Sequence, residues 1–292
     1  MCLRDSIKTS IFVASGSILK LKAYMQNFAM LKKDYDLISR QIQKLSKEGH
    51  DIQLHIHPHW EDSIYNGKEW VFDTSRYKLS DFTEIAIDGI VRRYSQILEE
   101  LTNQKPTVFR AGGWCIQPFE KLADSLYNYG IRIDSSIYPN GKNKTAKKSF
   151  DFSGSPDKNN WMFSTNPLIE DKNGRFLEIP ISSLRTTPFF YLRFIFYKFY
   201  GGATYQASGD GFAIRNSKKQ IFNQLLKPSF SVASIDGYKA SLLNQCARKN
   251  KSQLVLIGHP KAFSRYSLKK VEEFIKLRSK DSIFTTYTRY NG

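Results

Sequence analysis

Residues 49–60 read Gly49-His50-Asp51-Ile52-Gln53-Leu54-His55-Ile56-His57-Pro58-His59-Trp60 and hold four of the five histidines of the chain. The apolar residues inside this run predict a short strand, and the histidines follow where that strand ends. The fifth histidine, His259, follows a second strand-like run at 254–257 and also precedes a proline. Because α/β folds keep their active sites at the carboxyl ends of parallel strands, we expect an α/β protein with imidazoles at that end of its sheet.

The spacing of these histidines indicates metal or proton chemistry. In an extended segment His55, His57 and His59 point to the same side, so three imidazoles could converge, and Pro58 disfavours a helix there. Neutral imidazole suits Zn²⁺ or Co²⁺, and a metal site with two histidines commonly adds a carboxylate. A single histidine is more often structural, whereas a cluster this dense favours a functional site. His50, at the predicted end of a helix, is the member that we least expect to take part.

The order of predicted elements alternates strands with helices. Apolar residues that recur every three to four positions predict helices at 31–45, 82–101, 119–129, 237–248 and 268–278. Strand-like runs lie at 7–13, 52–54, 107–110, 131–134, 176–181, 254–257 and 282–287. We interpret the apolar run 10–19 as a buried strand rather than a signal peptide, and the polar residues 138–160 as a surface excursion. This order predicts a single domain over residues 1–292 with a parallel barrel.

Composition and charge limit the location and the partners. The three cysteines, Cys2, Cys115 and Cys246, are too widely spaced for a disulfide framework, which favours a reducing compartment. We expect a cytoplasmic protein, or one at the inner face of the membrane, since no run approaches the ~20 apolar residues of a spanning helix. The net charge of +17 is compatible with anionic lipid, anionic polysaccharide or no specific partner. Nucleic acid is the partner that we least expect, because no nucleic-acid-binding motif accompanies the charge.

Residues 188–200 form an unusual aromatic segment. Eight of the twelve residues 189–200 are aromatic, and Arg193 and Lys198 interrupt them. Aromatic and basic residues together suit a membrane interface, so this segment predicts peripheral contact with an anionic membrane. Packing as a core helix or a lid is the alternative interpretation.

Several motifs, in order along the chain, resemble those of the polysaccharide deacetylases, the NodB-homology group or carbohydrate esterase family four. Residues 49–59 are similar to the metal-binding motif of the family, and residues 7–13 to its Lys-Ala-Thr-Phe-Phe-Val strand. Further motifs that resemble the family are Phe109-Arg110-Ala111-Gly112-Gly113-Trp114, residues 130–139, residues 177–182, and Ile257-Gly258-His259-Pro260. The resemblance covers most of residues 7–288, apart from expected insertions near 140–175 and 185–215. His57-Pro58-His59-Trp60 resembles a subgroup found among proteins of bacterial lipopolysaccharide and surface-polysaccharide biosynthesis.

The resemblance implies a distorted (β/α)₇ barrel that removes an N- or O-acetyl group from a sugar of a surface polysaccharide or its precursor. His55 and His59 would bind the metal, zinc with cobalt or manganese as alternatives. His259 would protonate the leaving group or stabilise the tetrahedral intermediate. Arg110 would orient a carboxylate, and Asp134 would steer His259 or line the groove. Trp60, Trp114 and His57 would contact the acetylated glycan, although core packing explains the two tryptophans equally well.

The sequence departs from the family pattern at its start. The family carries an Asp-Asp or Asp-Glu pair on a first strand, which supplies a metal ligand and the general base, whereas residues 1–7 contain only Asp5. Glu61, Asp62, Asp134 and Glu178 are candidate substitutes. Two interpretations stay open: a complete enzyme whose first strand lies upstream of Met1, or an inert glycan-binding homologue that lacks the acidic pair.

Overall fold

The computed structural model describes residues 7–145, 147–209, 218–250 and 252–290. The chain divides into two compact units, the first from Met1–Ile137, Lys142–Pro180 and Phe284–Gly292, the second from Tyr138–Gly141 and Ile181–Ile283. The single domain expected over residues 1–292 stays a prediction. Asp5, and residues 210–215 of the second expected insertion, lie outside the described residues.

The first unit contains the main sheet and the helices around it. Its strands are β1 (Ser10–Ala14), β2 (Asp51–Ile56), β3 (Ile64–Tyr65), β4 (Trp70–Val71), β5 (Val108–Ala111), β6 (Ile133–Asp134), β7 (Lys142–Lys144), β8 (Ser149–Asp151), β9 (Trp161–Phe163) and β10 (Phe176–Glu178). Its helices are α1 (Ser15–Tyr24), α2 (Ala29–Lys47), α3 (Glu84–Thr102) and α4 (Glu120–Asn128).

Six of these strands form one sheet in the order β1-β2-β5-β6-β10-β9. Neighbouring strands are parallel except β9 and β10. The register places His55 beside Arg110, and Asp134 beside Glu178. The fold is therefore α/β with a mostly parallel sheet, as the sequence predicts. Among the described residues no ladder joins β1 to β9, and the (β/α)₇ barrel stays a prediction.

Helix α3 shows how the sequence pattern builds the core. Its buried apolar residues recur every three to four positions: Ile87, Ile90, Val91, Tyr94, Ile97 and Leu98. The hydroxyl of Thr83 accepts a hydrogen bond from the amide of Ala86 and caps the start of the helix. Asn103, with a left-handed backbone at φ 58°, ends it. Residues 82–101 therefore give a helix where their periodicity predicts one.

Three sequence predictions need correction. Residues 10–19 are not one strand, because β1 ends at Ala14 and α1 begins at Ser15, with Ile18 and Leu21 buried on one helical face. Residues 138–160 are not a simple surface excursion, because β7 and β8 pair as an antiparallel hairpin. Residues 282–287 form no strand: the chain is irregular there, and the backbone N–H of Tyr287 donates to Ser10 Oγ at 3.0 Å. In the first and third cases a contact with distant residues decides a short segment whose local pattern is ambiguous.

The second unit is built around a two-stranded antiparallel sheet of β11 (Ser183–Thr186) and β12 (Ser229–Val232). Its helices are α5 (Pro188–Tyr200), α6 (Lys218–Leu226), α7 (Leu243–Lys249) and α8 (Arg265–Arg278). The strand predicted at 254–257 is reduced to a bridge between Ser234 and Ile257. None of the helices in the described part of the chain is long and apolar enough to cross a membrane.

Candidate active site

Three histidines form a row at the carboxyl end of β2. His55 lies within the strand, His57 is the last extended residue, and a short 3-10 turn, Pro58–Trp60, carries His59. Pro58 occupies the first position of this turn, where its missing N–H costs nothing. The ring centroids of His55 and His57 are 4.5 Å apart, and those of His57 and His59 are 5.3 Å apart. The structure thus brings together the three imidazoles that the spacing singled out.

The tautomer of His55 follows from its contact with β5. Its Nδ1 lies 2.8 Å from the carbonyl oxygen of Arg110. A carbonyl can only accept, so Nδ1 carries the proton and the lone pair of the neutral ring sits on Nε2. Metal-binding histidines are commonly held in this way, with one ring N–H donated to a carbonyl.

His59 sits in an aromatic pocket that keeps it neutral. Its ring lies parallel to that of Tyr77, with centroids 5.9 Å apart, and Phe72 approaches it edge-on. Burial lowers the pKa of His59 and raises the pKa of Tyr77 to about 12. Within the described residues, His59 Nδ1 is buried without a hydrogen-bond partner. Because such an atom is costly, a ligand at Nδ1 would stabilise the site.

The protein atoms supply only part of a metal site. No group of three His, Cys, Asp or Glu side chains arranged to hold a metal ion exists among the described residues. Two proposed substitutes for the missing carboxylate are engaged elsewhere: Glu61 pairs with Arg93 at 2.6 Å, and Asp62 pairs with Arg76. Within the part of the chain that the structure describes, the fit for a metal thus consists of imidazole nitrogens, and no third protein ligand joins them.

The turn after β5 closes against the histidine row. A Cβ added to Gly112 would lie 2.5 Å from the carbonyl oxygen of Ile56 and 2.7 Å from His57 Nδ1, so this position requires glycine. Trp114 follows in the left-handed region at φ 63°, and the ammonium group of Lys148 lies 4.2 Å from the centre of one of its rings. The close approach of Gly112 to Ile56 and His57 holds the turn after β5 against the histidine row.

Trp60 belongs to an aromatic cluster. Its ring packs against those of Trp70 and Phe72, at 5.2 and 5.0 Å. Both tryptophans of the predicted glycan groove therefore have neighbours within the protein, and their stacking on a sugar stays a prediction.

Arg110 is held by neutral oxygens. Its Nε donates to the Ser135 carbonyl at 2.8 Å, and its Nη2 donates to Ser135 Oγ at 3.0 Å and to the Tyr287 hydroxyl at 2.9 Å. Its guanidinium carbon also lies 3.9 Å from the centre of the Phe12 ring. No sequence pattern indicates Tyr287 as a partner of Arg110, because it lies 177 residues away and no motif surrounds it.

Asp134 and Glu178 form a buried pair of carboxyl groups on β6 and β10. Asp134 accepts from the amide and hydroxyl of Ser136, at 3.0 and 2.7 Å. Glu178 Oε1 accepts from the amide of Ile137 at 3.4 Å, whereas its Oε2 is buried without a hydrogen-bond partner in the described structure. Burial, and then the charge of Asp134, raise the pKa of Glu178 well above its ordinary value, and burial also raises the pKa of Asp134. Glu178 therefore retains its proton beside Asp134 at pH values where an exposed glutamate is ionised.

In the second unit, His259 is paired with a carboxylate that the sequence analysis did not name. Its Nδ1 lies 2.7 Å from Asp236 Oδ2, and its backbone N–H donates to Asp236 Oδ1 at 2.7 Å. Asp236 follows β12 and the bridge residue Ser234, so an acid just after a strand was the available signal. The predicted role of Asp134 toward His259 stays a prediction.

Comparison with known proteins gives similar solved structures but no family. No family model and no curated protein matches the chain. A solved structure described as "Crystal structure of putative polysaccharide deacetylase from Mycobacterium smegmatis" is 15% identical, and the match covers 97% of this chain and 70% of that chain, with a TM-score of 0.46.

Proposed function

We propose that the protein is a metal-dependent hydrolase that removes an acetyl group from an N- or O-acetylated sugar of a bacterial surface polysaccharide or its precursor. The observation that carries the proposal is the row of His55, His57 and His59, in which the carbonyl of Arg110 fixes the tautomer of His55. The order of the deacetylase-like motifs along the sequence supports it. Its proposed partners are the acetylated glycan and, through residues 188–200, an anionic membrane at the cytoplasmic face.

Each residue of the site has a proposed role. His55 and His59 would hold a divalent cation, zinc with cobalt or manganese as alternatives, and such an ion polarises a carbonyl and acidifies water. His259, with Nδ1 held by Asp236, donates a proton from Nε2 to the leaving group. Arg110 would orient a carboxylate, and Asp134 would steer His259 or line the groove. Trp60, Trp114 and His57 would contact the glycan.

The second candidate is a catalytically inert protein that binds the same glycans. It is favoured by one observation: Glu61 and Asp62 are paired with arginines, and no third metal ligand accompanies His55 and His59 in the described residues. This candidate predicts glycan affinity without acetate release, whichever divalent metal is supplied.

Metal binding and turnover test the two candidates together. We expect calorimetric titration of the chelator-treated protein with Zn²⁺ to show one site, weakened more than about tenfold in His55→Ala and in His59→Ala. His50→Ala is the matched control, because His50 Nδ1 accepts from the amide of Thr9 at 3.2 Å and takes no part in the row. Acetate release from acetylated glycans should stop with EDTA and return with Zn²⁺. Undiminished release by the His55→Ala His59→Ala double variant would contradict the metal mechanism.

A further inference from the structure

Helix α5 exposes a continuous apolar face. Its members, which we call the aromatic face, are between 55 and 78% exposed: Phe189, Leu192, Phe196, Phe199 and Tyr200. At 100° per residue these five positions fall within an arc of about 100°, which is the width of a typical buried helix stripe. Here that stripe faces outward.

The other side of α5 is already packed against its own unit. Phe190 and Tyr191 are buried with Tyr238. Tyr197 stacks between Tyr205 and Tyr238, with ring centroids at 4.5 and 4.8 Å. Because this side packs against the unit, the aromatic face lies on its surface, and a monomer rarely leaves such an apolar surface uncovered.

Helix α6 adds apolar side chains to the exposed surface of the unit. It packs against α5 and exposes Phe222 and Leu226, which lie one helical turn apart and are 61 and 59% exposed.

The charge of this part of the chain identifies the surface that would cover the aromatic face. Residues 179–235 contain seven Lys or Arg residues and a single acidic residue, Asp210. Two of the basic residues, Arg193 and Lys198, are exposed on α5 itself. Arg193 lies at the edge of the aromatic face, about 40° from Phe189 around the helix. Lys198 lies on the other side of the helix, so Arg193 is the basic residue of α5 that borders the aromatic face. Apolar side chains beside a basic one match an anionic lipid surface, where acyl chains lie beneath negative headgroups.

We propose that the aromatic face of α5 docks on a bilayer that contains anionic phospholipid, with the helix lying along the headgroup region. The thirteen residues of α5 span about 20 Å, less than the ~30 Å hydrocarbon core, which suits a helix parallel to the surface. The inference deepens the membrane contact included in the proposed function, and it does not depend on the hydrolytic step.

Vesicle flotation of the full chain tests the docking. We expect binding to phosphatidylcholine vesicles that contain phosphatidylglycerol, and little binding to pure phosphatidylcholine. The double variant Phe196→Ser Phe199→Ser should lower the partition coefficient by about tenfold or more, because two interfacial aromatic side chains are lost. Arg193→Gln should lower it about fivefold, and the wild-type value should fall with added salt.

A matched control separates docking from general stickiness. Ile85, at the start of α3, is 89% exposed but lies outside the aromatic face, so Ile85→Ser should bind vesicles as the wild type does. Circular dichroism shows that each variant is folded before it is compared. Failure of the wild type to bind anionic vesicles, or an equal loss in Ile85→Ser, would overturn the proposal. A dimer in sedimentation equilibrium that the Phe196→Ser Phe199→Ser variant dissociates would also overturn it, since a second copy would then cover the face.

The same variants distinguish this proposal from the proposed function. Acetate release from a soluble acetylated oligosaccharide should be unchanged in Phe196→Ser Phe199→Ser, because none of the proposed catalytic residues lies on α5. Vesicle binding without any acetate release refutes the hydrolase and leaves the docking standing. Acetate release without vesicle binding refutes the docking and leaves the hydrolase standing.

Discussion

His259 Nδ1 lies 2.7 Å from Oδ2 of Asp236, and the other oxygen of the same carboxylate accepts the backbone N–H of His259. Burial raises the pKa of Asp236, but the hydrogen bonds and the charge of His259 outweigh burial and lower this pKa below its ordinary value. Asp236 is therefore ionised at neutral pH and can only accept, which places the proton of His259 on Nδ1. When both ring nitrogens are protonated, the second proton is on Nε2.

Replacing Asp236 with Asn should reverse the tautomer of His259. The Asn amide would donate to Nδ1, so the proton of the neutral ring moves to Nε2 and the carboxylate that faces the ring is removed. We expect acetate release to fall by about 10²-fold or more, and the ¹⁵N shifts of the ring to report the exchange of protonated nitrogens. Asp281→Asn, which removes an exposed carboxylate beside Arg278, should change neither measurement. Unchanged ¹⁵N shifts in Asp236→Asn would show that the pair does not set the tautomer.

The parts of this protein that sequence reasoning predicts are those with a local signal. The periodicity of residues 31–45, 82–101 and 119–129 locates α2, α3 and α4 to within a few residues. The density of histidines in residues 50–59 identifies the row at the end of β2. Both signals extend over many residues, so a tertiary contact at one position does not change them.

The missed features depend on contacts between distant residues. Asp236 lies 23 residues from His259, and Tyr287 lies 177 residues from Arg110, with no motif to connect either pair. The sequence pattern of residues 10–19 does not separate the strand from the helix, because both share one apolar run, and only the burial of Ile18 and Leu21 shows where the helix begins. No local sequence pattern connects the two distant pairs or marks the boundary between strand and helix, so neither can be predicted from a single sequence.

Glu178→Gln should make the protein more stable at alkaline pH. In the unfolded chain Glu178 ionises near pH 4.5, whereas burial and then the charge of Asp134 raise its pKa well above that value in the folded state. Between these two pKa values the folded protein binds more protons than the unfolded chain. The free energy of unfolding therefore falls as pH rises from about 4.5 to the folded-state pKa of Glu178. Above that pKa, Glu178 causes no further change with pH. Glu178→Gln removes this decrease in the free energy of unfolding, because a glutamine side chain never ionises.

The comparison needs urea unfolding at several pH values. We expect Glu178→Gln to match the wild type within about 1 kcal/mol at pH 4 and to exceed it by about 1 kcal/mol or more at pH 8. Glu69→Gln, at an exposed position, should follow the wild type at every pH. A wild-type and Glu178→Gln difference that does not change with pH would mean that Glu178 is already ionised in the folded state.

Gly112→Ala should destabilise the first unit. The new Cβ would lie 2.5 Å from the Ile56 carbonyl oxygen, a backbone atom that can move only if β2 moves with it. We expect a loss of about 1–3 kcal/mol in urea unfolding, together with weaker Zn²⁺ binding, because the strand that would have to move also carries His55. Gly154→Ala is the control, since a Cβ there meets no atom within 4 Å. Equal stability of the two variants would show that the turn after β5 can adjust.

Tyr287→Phe should loosen Arg110. The Tyr287 hydroxyl accepts from Arg110 Nη2 at 2.9 Å and lies 2.6 Å from Ser135 Oγ, and both contacts vanish without it. The edge-on packing of the ring on Phe12, with centroids 5.5 Å apart, is kept by phenylalanine. Because one of the lost hydrogen bonds involves a charged group, we expect the free energy of unfolding to fall by about 1–2 kcal/mol. Tyr200→Phe, at an exposed position, should cost less than about 0.5 kcal/mol.

If Arg110 serves the reaction as proposed, Tyr287→Phe should also reduce acetate release. In a double-mutant cycle, Tyr287→Phe should then have almost no further effect on acetate release in a protein that already carries Arg110→Ala. Additive effects of the two substitutions on acetate release would show that Tyr287 contributes to stability alone.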